Sequence, residues 1–571
     1  MTRHTFWRFV WCFSCVVLSG WSARGAEDVL TVVPHDVLGV VVVNRLAETS
    51  GKVAELTKKM QLPAPDLLTL LKASTGMQAG LDEKRGLAVA AVTAGGAPAP
   101  VWFVPVTDFA AFLKQFQPAD PQARIASAVI ANNKSVVARK GSFAVVAEEL
   151  HRANLEAVLN ASRTLAAEAK ALDGWCGGND SYAIGTPAGI LMFQQQVLAG
   201  MALAKTQLEG ADEKMRKQAL MGLAMYEGLL AALPKEVAYA AVGVRIEPDG
   251  TLHIASRTLP VPGGVLAGLA QAGATAADQP LAGLSAGSFV VAGGGVLPRG
   301  WAKPLMEFSW NAMKMYPGGE SLTEEQSKQF TEFMLQSMQG LQSMALRMGA
   351  GKPGEPLYGD VMFAMRTDDA ARYLAGYERA MRRMAEMGKA TKNPLLAYDV
   401  ENLQIDGQPA LKMTMDLKAY MQGQEIPQVK QMFEMMFGPG AKLPVYLAVA
   451  DPQTVVGVYI SQDRLRDALK AVRAGTAGLA ADPAVMRTAA QLPAGAQWVG
   501  FWSLRGTQQF VSRIVAALLP DAPFKLPEFP ETQPVGFAAK LTASGLDTDM
   551  VVPAEVLTAG VKFVRDVMAG H

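Results

Sequence analysis

The chain of 571 residues is poor in the side chains that most active sites need: it has only three cysteines and five histidines. Cys12 and Cys15 fall near the N-terminus, so Cys176 stands alone downstream, and no disulfide can form within the remainder. Past His4, the histidines are His35, His151, His253 and His571. None are four apart, and no cysteine pair joins them, which excludes a zinc site of standard type. An excess of one charge is missing too, with 53 Lys+Arg against 52 Asp+Glu and no basic run. Attraction to nucleic acid is therefore not expected. Beyond the N-terminal leader no stretch of 18 uninterrupted apolar residues occurs, so no transmembrane segment is expected.

What is present describes a folded protein. Half of the residues are hydrophobic and 18% are charged, too apolar for disorder. The length suits roughly two to four units of about 150 residues. Residues 1–26 carry Arg3, His4 and Arg8, an apolar run from Phe9 to Trp21, then Ser22-Ala23-Arg24-Gly25-Ala26. This is the layout of a signal peptide, with a run too short to span a bilayer as a helix. Its removal leaves 50 basic against 52 acidic residues. The expected location is exported, either periplasmic or extracellular.

The chain repeats itself. A turn, an apolar strand and a helix pattern start at Pro34-His35-Asp36, at Ser285-Ala286-Gly287 and at Pro493-Ala494-Gly495. A second unit reads Thr107-Asp108-x-Ala110-Ala111 and again Thr367-Asp368-x-Ala370-Ala371, each Asp placed to cap a following helix. Ser461-Gln462-Asp463 follows the same logic. A closing hairpin alternates at Val242, Val244 and Ile246, with Asp249-Gly250 as a type I′ turn. Another alternates from Val535 to Leu541 and turns at Ser544-Gly545. The expected fold is α+β: an internally duplicated module of largely antiparallel sheet, with helices packed on one face and long helices inserted. The first module covers 27–275. The second covers 281–571 with a helical insertion at about 301–350. Helices are expected at 197–233, 322–349 and 369–391.

Chemical motifs are few. Gly283-Leu284-Ser285-Ala286-Gly287 matches the string of a nucleophile elbow, which needs a strand before it and a helix after it. Here a Gln-Pro loop precedes and a strand pattern, Phe289–Ala292, follows, so a turn is expected. Gly293–Gly295 lack the flanking residues of a phosphate loop and suit close backbone packing. Met381, Met384 and Met387 could offer thioethers to a soft ion, but Arg382 and Arg383 intervene and the three drift around a helix. Core packing is expected there. Cys176, in Gly174-Trp175-Cys176-Gly177-Gly178, is expected to be a small, partly buried residue rather than a nucleophile. No residue is assigned to catalysis, to a cofactor or to a metal.

Val33-Pro34-His35-Asp36-Val37-Leu38-Gly39-Val40-Val41-Val42-Val43-Asn44, with Leu62-Pro63-Ala64-Pro65 through Thr75-Gly76 and Gly80-Leu81-Asp82-Glu83, resembles uncharacterised exported proteins of planctomycete-type bacteria. The resemblance covers about 60 residues and implies export and duplication, with no activity to carry over. The expected function is non-enzymatic, as a structural or binding protein outside the cytoplasm. An exported hydrolase with dispersed catalytic residues is the alternative, and so is a carrier of small molecules or lipids. A protein or apolar ligand is expected, if anywhere, at the Met-rich helix 322–349, whose stripe runs through Phe330, Phe333, Met334, Met338, Leu341, Met344 and Met348.

Overall fold

The computed structural model describes residues 29–571 apart from 63–64, 95, 211–212, 273–278, 297–322, 353, 392–397, 418–426, 441, 475–477, 519–525 and 570–571. The leader at 1–26, His571 and the first part of the expected insertion lie outside the described residues. The chain divides into two compact units. One comprises 1–211, 227–268 and 544–549; the other comprises 212–226, 269–543 and 550–571. The fold is α+β, and every described strand ladder is antiparallel.

In the first unit the strands are β1 (Gly39–Val43), β2 (Leu87–Val92), β3 (Ala99–Pro105), β4 (Ala126–Ile130), β5 (Asn133–Lys140), β6 (Phe143–Glu148), β7 (Ser181–Gly185), β8 (Val237–Ile246) and β9 (Leu252–Pro260). Their hydrogen-bonded order is β4-β5-β6-β3-β2-β1-β7-β8-β9. Its helices include α1 (Leu46–Lys59), α2 (Leu67–Thr75), α3 (Phe109–Lys114), α4 (Arg152–Asn160), α5 (Leu165–Glu168), α6 (Asp173–Gly178) and α7 (Pro187–Gln207). α8 (Glu213–Glu236) belongs to both units, and α9 (Val265–Ala272) follows β9.

Helices do not keep to one face here. Phe103 of β3 packs with Val145, Leu155 of α4 and Leu172, whereas its neighbour Val104 packs with Val146 and with Phe112 and Leu113 of α3. Successive side chains of a strand point to opposite faces, so the sheet carries helices on both. The signal was in the sequence: β3 and β6 are nearly continuous apolar runs, as strands covered on both faces are.

In the second unit the strands are β10 (Phe289–Val296), β11 (Leu341–Gly349), β12 (Val361–Thr367), β13 (Tyr398–Ile405), β14 (Gln408–Asp416), β15 (Lys442–Asp451), β16 (Thr454–Tyr459), β17 (Trp498–Trp502) and β18 (Val535–Thr542). Their order is β13-β14-β15-β16-β12-β11-β10-β17-β18. β19 (Gly545–Val552) follows β18 in the chain. The helices are α10 (Glu324–Ser337), α11 (Ala370–Thr391), α12 (Pro427–Phe437), α13 (Gln462–Arg473), α14 (Pro483–Ala489), α15 (Leu504–Leu518) and α16 (Ala554–Ala569).

Four further expectations need correction. The helix expected over 322–349 ends at Ser337; Gly340 takes φ +84°, and Leu341–Gly349 is strand β11. Gly340 supplies the left-handed turn that stops the helix. From Met344 to Arg347 exposed and buried residues alternate, so Met344 and Met348 never shared a helical stripe with Phe333. The helix expected over 197–233 is two helices, α7 and α8, with a short 3₁₀ turn at Leu208–Gly210 after the first. The turn at Asp249-Gly250 is not type I′: only Gly250 has positive φ, and its N–H closes on Glu247 O at 2.9 Å. Pro248 holds a negative φ, so a longer loop ending on a left-handed glycine results. Asp108 caps α3 through the Ala111 N–H at 3.0 Å, but Asp369, not Asp368, caps α11 through the Arg372 N–H at 2.9 Å. Asp368 instead accepts from Gln342 Nε2.

Candidate functional site

A groove of about 630 Å³ opens in the second unit. Its floor is one face of β11 and β12, where Ala345 and Ala364 stand side by side in the ladder. One wall is the loop 279–286 ahead of β10; the other is the end of α13 with Gly478 and Ala480. Small residues let these walls come close. A Cβ on Gly294 would lie 1.9 Å from Pro280 O, and one on Gly478 would lie 1.9 Å from Leu284 O. The Leu479 N–H also bonds to Leu284 O at 3.1 Å. The groove is thus framed by backbone that cannot shift without breaking packing.

Polar groups gather at one end. Ser343 of β11 pairs with Arg366 of β12, and Arg366 pairs with Thr454 of β16, placing three side chains in one row on the groove's face. Asp451, opposite Thr454 in the β15–β16 ladder, completes the row. The Arg366 side chain is exposed and makes no hydrogen bond or ion pair with a described residue. Asp451 accepts the Gln453 N–H at 2.8 Å and has no cationic partner among the described residues. Two opposite charges therefore line one groove without neutralising each other.

Elsewhere the charges are engaged. Asp360 receives Arg347 Nη2 at 3.2 Å and also Arg464, whose Nη2 reaches Glu355 at 2.5 Å. Arg513 donates to the carbonyls of Ala350 and Glu355, each at 2.5 Å. This network pins the 350–360 connection to α13 and α15. Burial lowers the pKa of Arg347, and the Asp360 carboxylate counteracts it. In the first unit Asp180 is fully buried, with Arg45 Nη2 at 3.3 Å, Lys52 Nζ at 3.7 Å and the Ile246 N–H at 3.1 Å. Arg45 holds φ 42°, a left-handed value uncommon outside glycine. Beside it, Asn44 donates from Nδ2 to Cys176 O at 3.1 Å and Asn179 O at 2.6 Å. Along β9, His253 meets Asp549 at 3.1 Å, and Arg257 makes a two-point pair with Asp547 at 2.6 and 2.5 Å.

The motifs singled out from sequence have structural surroundings. Ser285 accepts from Arg347 Nη1 at 3.0 Å and donates to Met362 Sδ at 3.5 Å, ahead of β10 as expected. Neither partner is a base. Gly293 and Gly295 abut strand backbone, where added Cβ atoms would lie 2.7 Å from Val499 O and 2.3 Å from Gln497 O. Cys176 is fully buried in α6, and desolvation pushes its thiol up to about 12, against any nucleophilic role. Met381, Met384 and Met387 are buried in a cluster with Tyr398, Phe333 and Met334. Among the described residues no group of three or more His, Cys, Asp or Glu could hold a metal ion, and no helix is long and apolar enough to cross a membrane.

Sequence reading missed Arg366, Ser343, Thr454 and Asp451, because nothing local marks four residues from four strands as neighbours. The one available signal was a charge ending the otherwise apolar run Val361–Met365. No family model matches the chain, and comparison with curated proteins and with solved structures finds no match either.

Proposed function

We propose that this chain is an exported, internally duplicated α+β protein whose task is to bind a ligand without transforming it. The groove of the second unit carries the binding reading: a preformed hollow of ligand size with polar groups left available at one end. Against catalysis stands the use of the other clusters. Ser285 has no base bonded to it, Cys176 is a buried thiol, and the carboxylates of Asp180 and Asp360 are held by cations. The layout of 1–26 supports export, and the mass of the native protein should correspond to a chain starting near Ala26 or Glu27. A full-length native species would remove that part of the reading.

Duplication is supported by matching connectivity. The order β4-β5-β6-β3-β2-β1-β7-β8 corresponds to β14-β15-β16-β12-β11-β10-β17-β18, with β13 as an addition. Single bonds correspond as well. The Asn44 N–H meets Asp180 O at 2.7 Å, and the Val296 N–H meets Gln497 O at 3.0 Å. Thr186 caps α7 through the Gly189 N–H, and Ser503 caps α15 through the Gly506 N–H. On this reading β17, after Pro493, answers to β7 rather than to β1. The Thr-Asp match shifts by one, so that the capping residues Asp108 and Asp369 correspond. An experimental structure with a different strand order in either half would refute the duplication.

To test binding, the mature protein is incubated with a small-molecule extract, washed by ultrafiltration and denatured. A compound should be retained and released unchanged. Consumption of a component that depends on time and on the protein would overturn the reading in favour of an enzyme.

A further inference from the structure

We infer that the groove of the second unit receives a free α-amino acid, held as its zwitterion. This rests on the binding reading above and names its ligand class. A groove for a simple anion has no use for a carboxylate in its lining, and one for a simple cation has none for an exposed guanidinium. Here both line the same hollow, on the two flanks of Thr454. Adjacent strands lie about 4.8 Å apart, so the backbones of Arg366 and Asp451 are separated by roughly two such spacings. A ligand with opposite charges on one carbon fits between side chains reaching inward from both.

The chemistry of each position follows. Arg366 presents the planar fork that matches a carboxylate, and the Ser343 and Thr454 hydroxyls, on the neighbouring strands, donate to the same oxygens. Asp451 keeps one oxygen on the Gln453 N–H, which fixes its carboxylate, and the other faces the ligand's ammonium. Beyond the charged row the floor is Ala345 and Ala364, both buried and both short. The pairs form within a framed hollow, so little reorganisation is needed on binding.

The test is titration calorimetry of the mature chain with each of the twenty coded L-amino acids singly. For the tightest binder, the deaminated acid and the decarboxylated amine of the same carbon skeleton are titrated too. At least one amino acid should bind, and both analogues should bind about tenfold or more weakly, each having lost one charged contact. Arg366→Ala and Asp451→Asn should each weaken the amino acid by about tenfold or more. Both positions are away from the packed core, and circular dichroism would verify that each variant folds. The inference is overturned if no amino acid binds the unaltered chain. It is also overturned if either analogue binds as well as the amino acid, or if folded Arg366→Ala or Asp451→Asn retains full affinity. A compound retained from extract while every amino acid fails would remove this ligand class and leave the binding reading intact.

Discussion

At the start of β7 the first unit buries a charge, and at the start of β17 the second unit buries a neutral amide. The backbone around the two is alike. The Asp180 N–H bonds to Val244 O at 2.8 Å, and the Gln497 N–H to Ala539 O at 3.0 Å. The side chains then do the same work differently. Asp180 accepts the Ile246 N–H and draws in Arg45 and Lys52. Gln497 accepts the Leu541 N–H at 2.5 Å and returns a bond from Nε2 to Leu541 O at 3.2 Å. An amide has both a donor and an acceptor, so it satisfies a strand's end without help. A carboxylate only accepts, and its burial must be offset by cations brought from another element. The first unit therefore needs α1, which carries Lys52, and a left-handed Arg45 at that point. The second uses the amide of Gln497.

The largest expected effect is on the charged side. Asp180→Ala leaves Arg45 and Lys52 with Glu48 as their carboxylate and strands the buried Ile246 N–H, and should destabilise the first unit by about 3 kcal/mol. Hydrogen exchange of the β7 and β8 amides would measure it while β17 and β18 stay protected. Equal loss in both units would break the contrast. Gln497→Ala strands one buried N–H and one buried carbonyl, and about 1–3 kcal/mol should be lost around β17 and β18. A loss as large as that of Asp180→Ala would mean that charge was irrelevant to the difference.

Asp66 sharpens the comparison, being a carboxylate that needs no cation. Bonds from Thr69 Oγ1, the Thr69 N–H and Ser50 Oγ hold its pKa at about 2, below the usual 3.8. A depressed folded pKa gives stability that is present above the unfolded value and lost as pH falls through the folded one. Asp66→Ala should cost about 1 kcal/mol at neutral pH, as caps do at partly exposed sites. Its melting temperature should converge on that of the unaltered chain between pH 4 and 2. A gap that persists at pH 2 would show that the charge was not what α2 gained. The smallest effect belongs to Ser285→Ala, which removes one neutral partner of Arg347 while Asp360 stays in place. A change within about 1 kcal/mol is expected, with any hydrolysis of model esters unaltered. Abolished hydrolysis in a folded variant would restore the elbow.

Much of the fold was legible because it is local. The run Gly39–Val43 is strand β1, the periodic pattern at 369–391 is α11, and Asp108 caps the helix it precedes. Where the reading failed, two periods competed. Methionine and phenylalanine every three or four residues across 330–348 match a helix by count alone, but Gly340 breaks the chain inside the match, and beyond it the burial period becomes two. The Thr-Asp match failed by one residue because Asp368 and Asp369 are both able to cap. Gln342 of β11 engages Asp368, and Asp369 takes the cap.

By itself, then, the sequence determined composition, the leader-like opening, the scarcity of metal and nucleophile chemistry, and most strands and helices. All of these depend on residues near one another in the chain. Only the tertiary structure decided that Ser343, Arg366, Thr454 and Asp451 share one row. It also decided that the carboxylate of Asp180 is buried against Arg45, 135 residues away. Strand order brings distant residues into register, and a side chain's charge acquires its cost or its use only from the neighbours that register supplies.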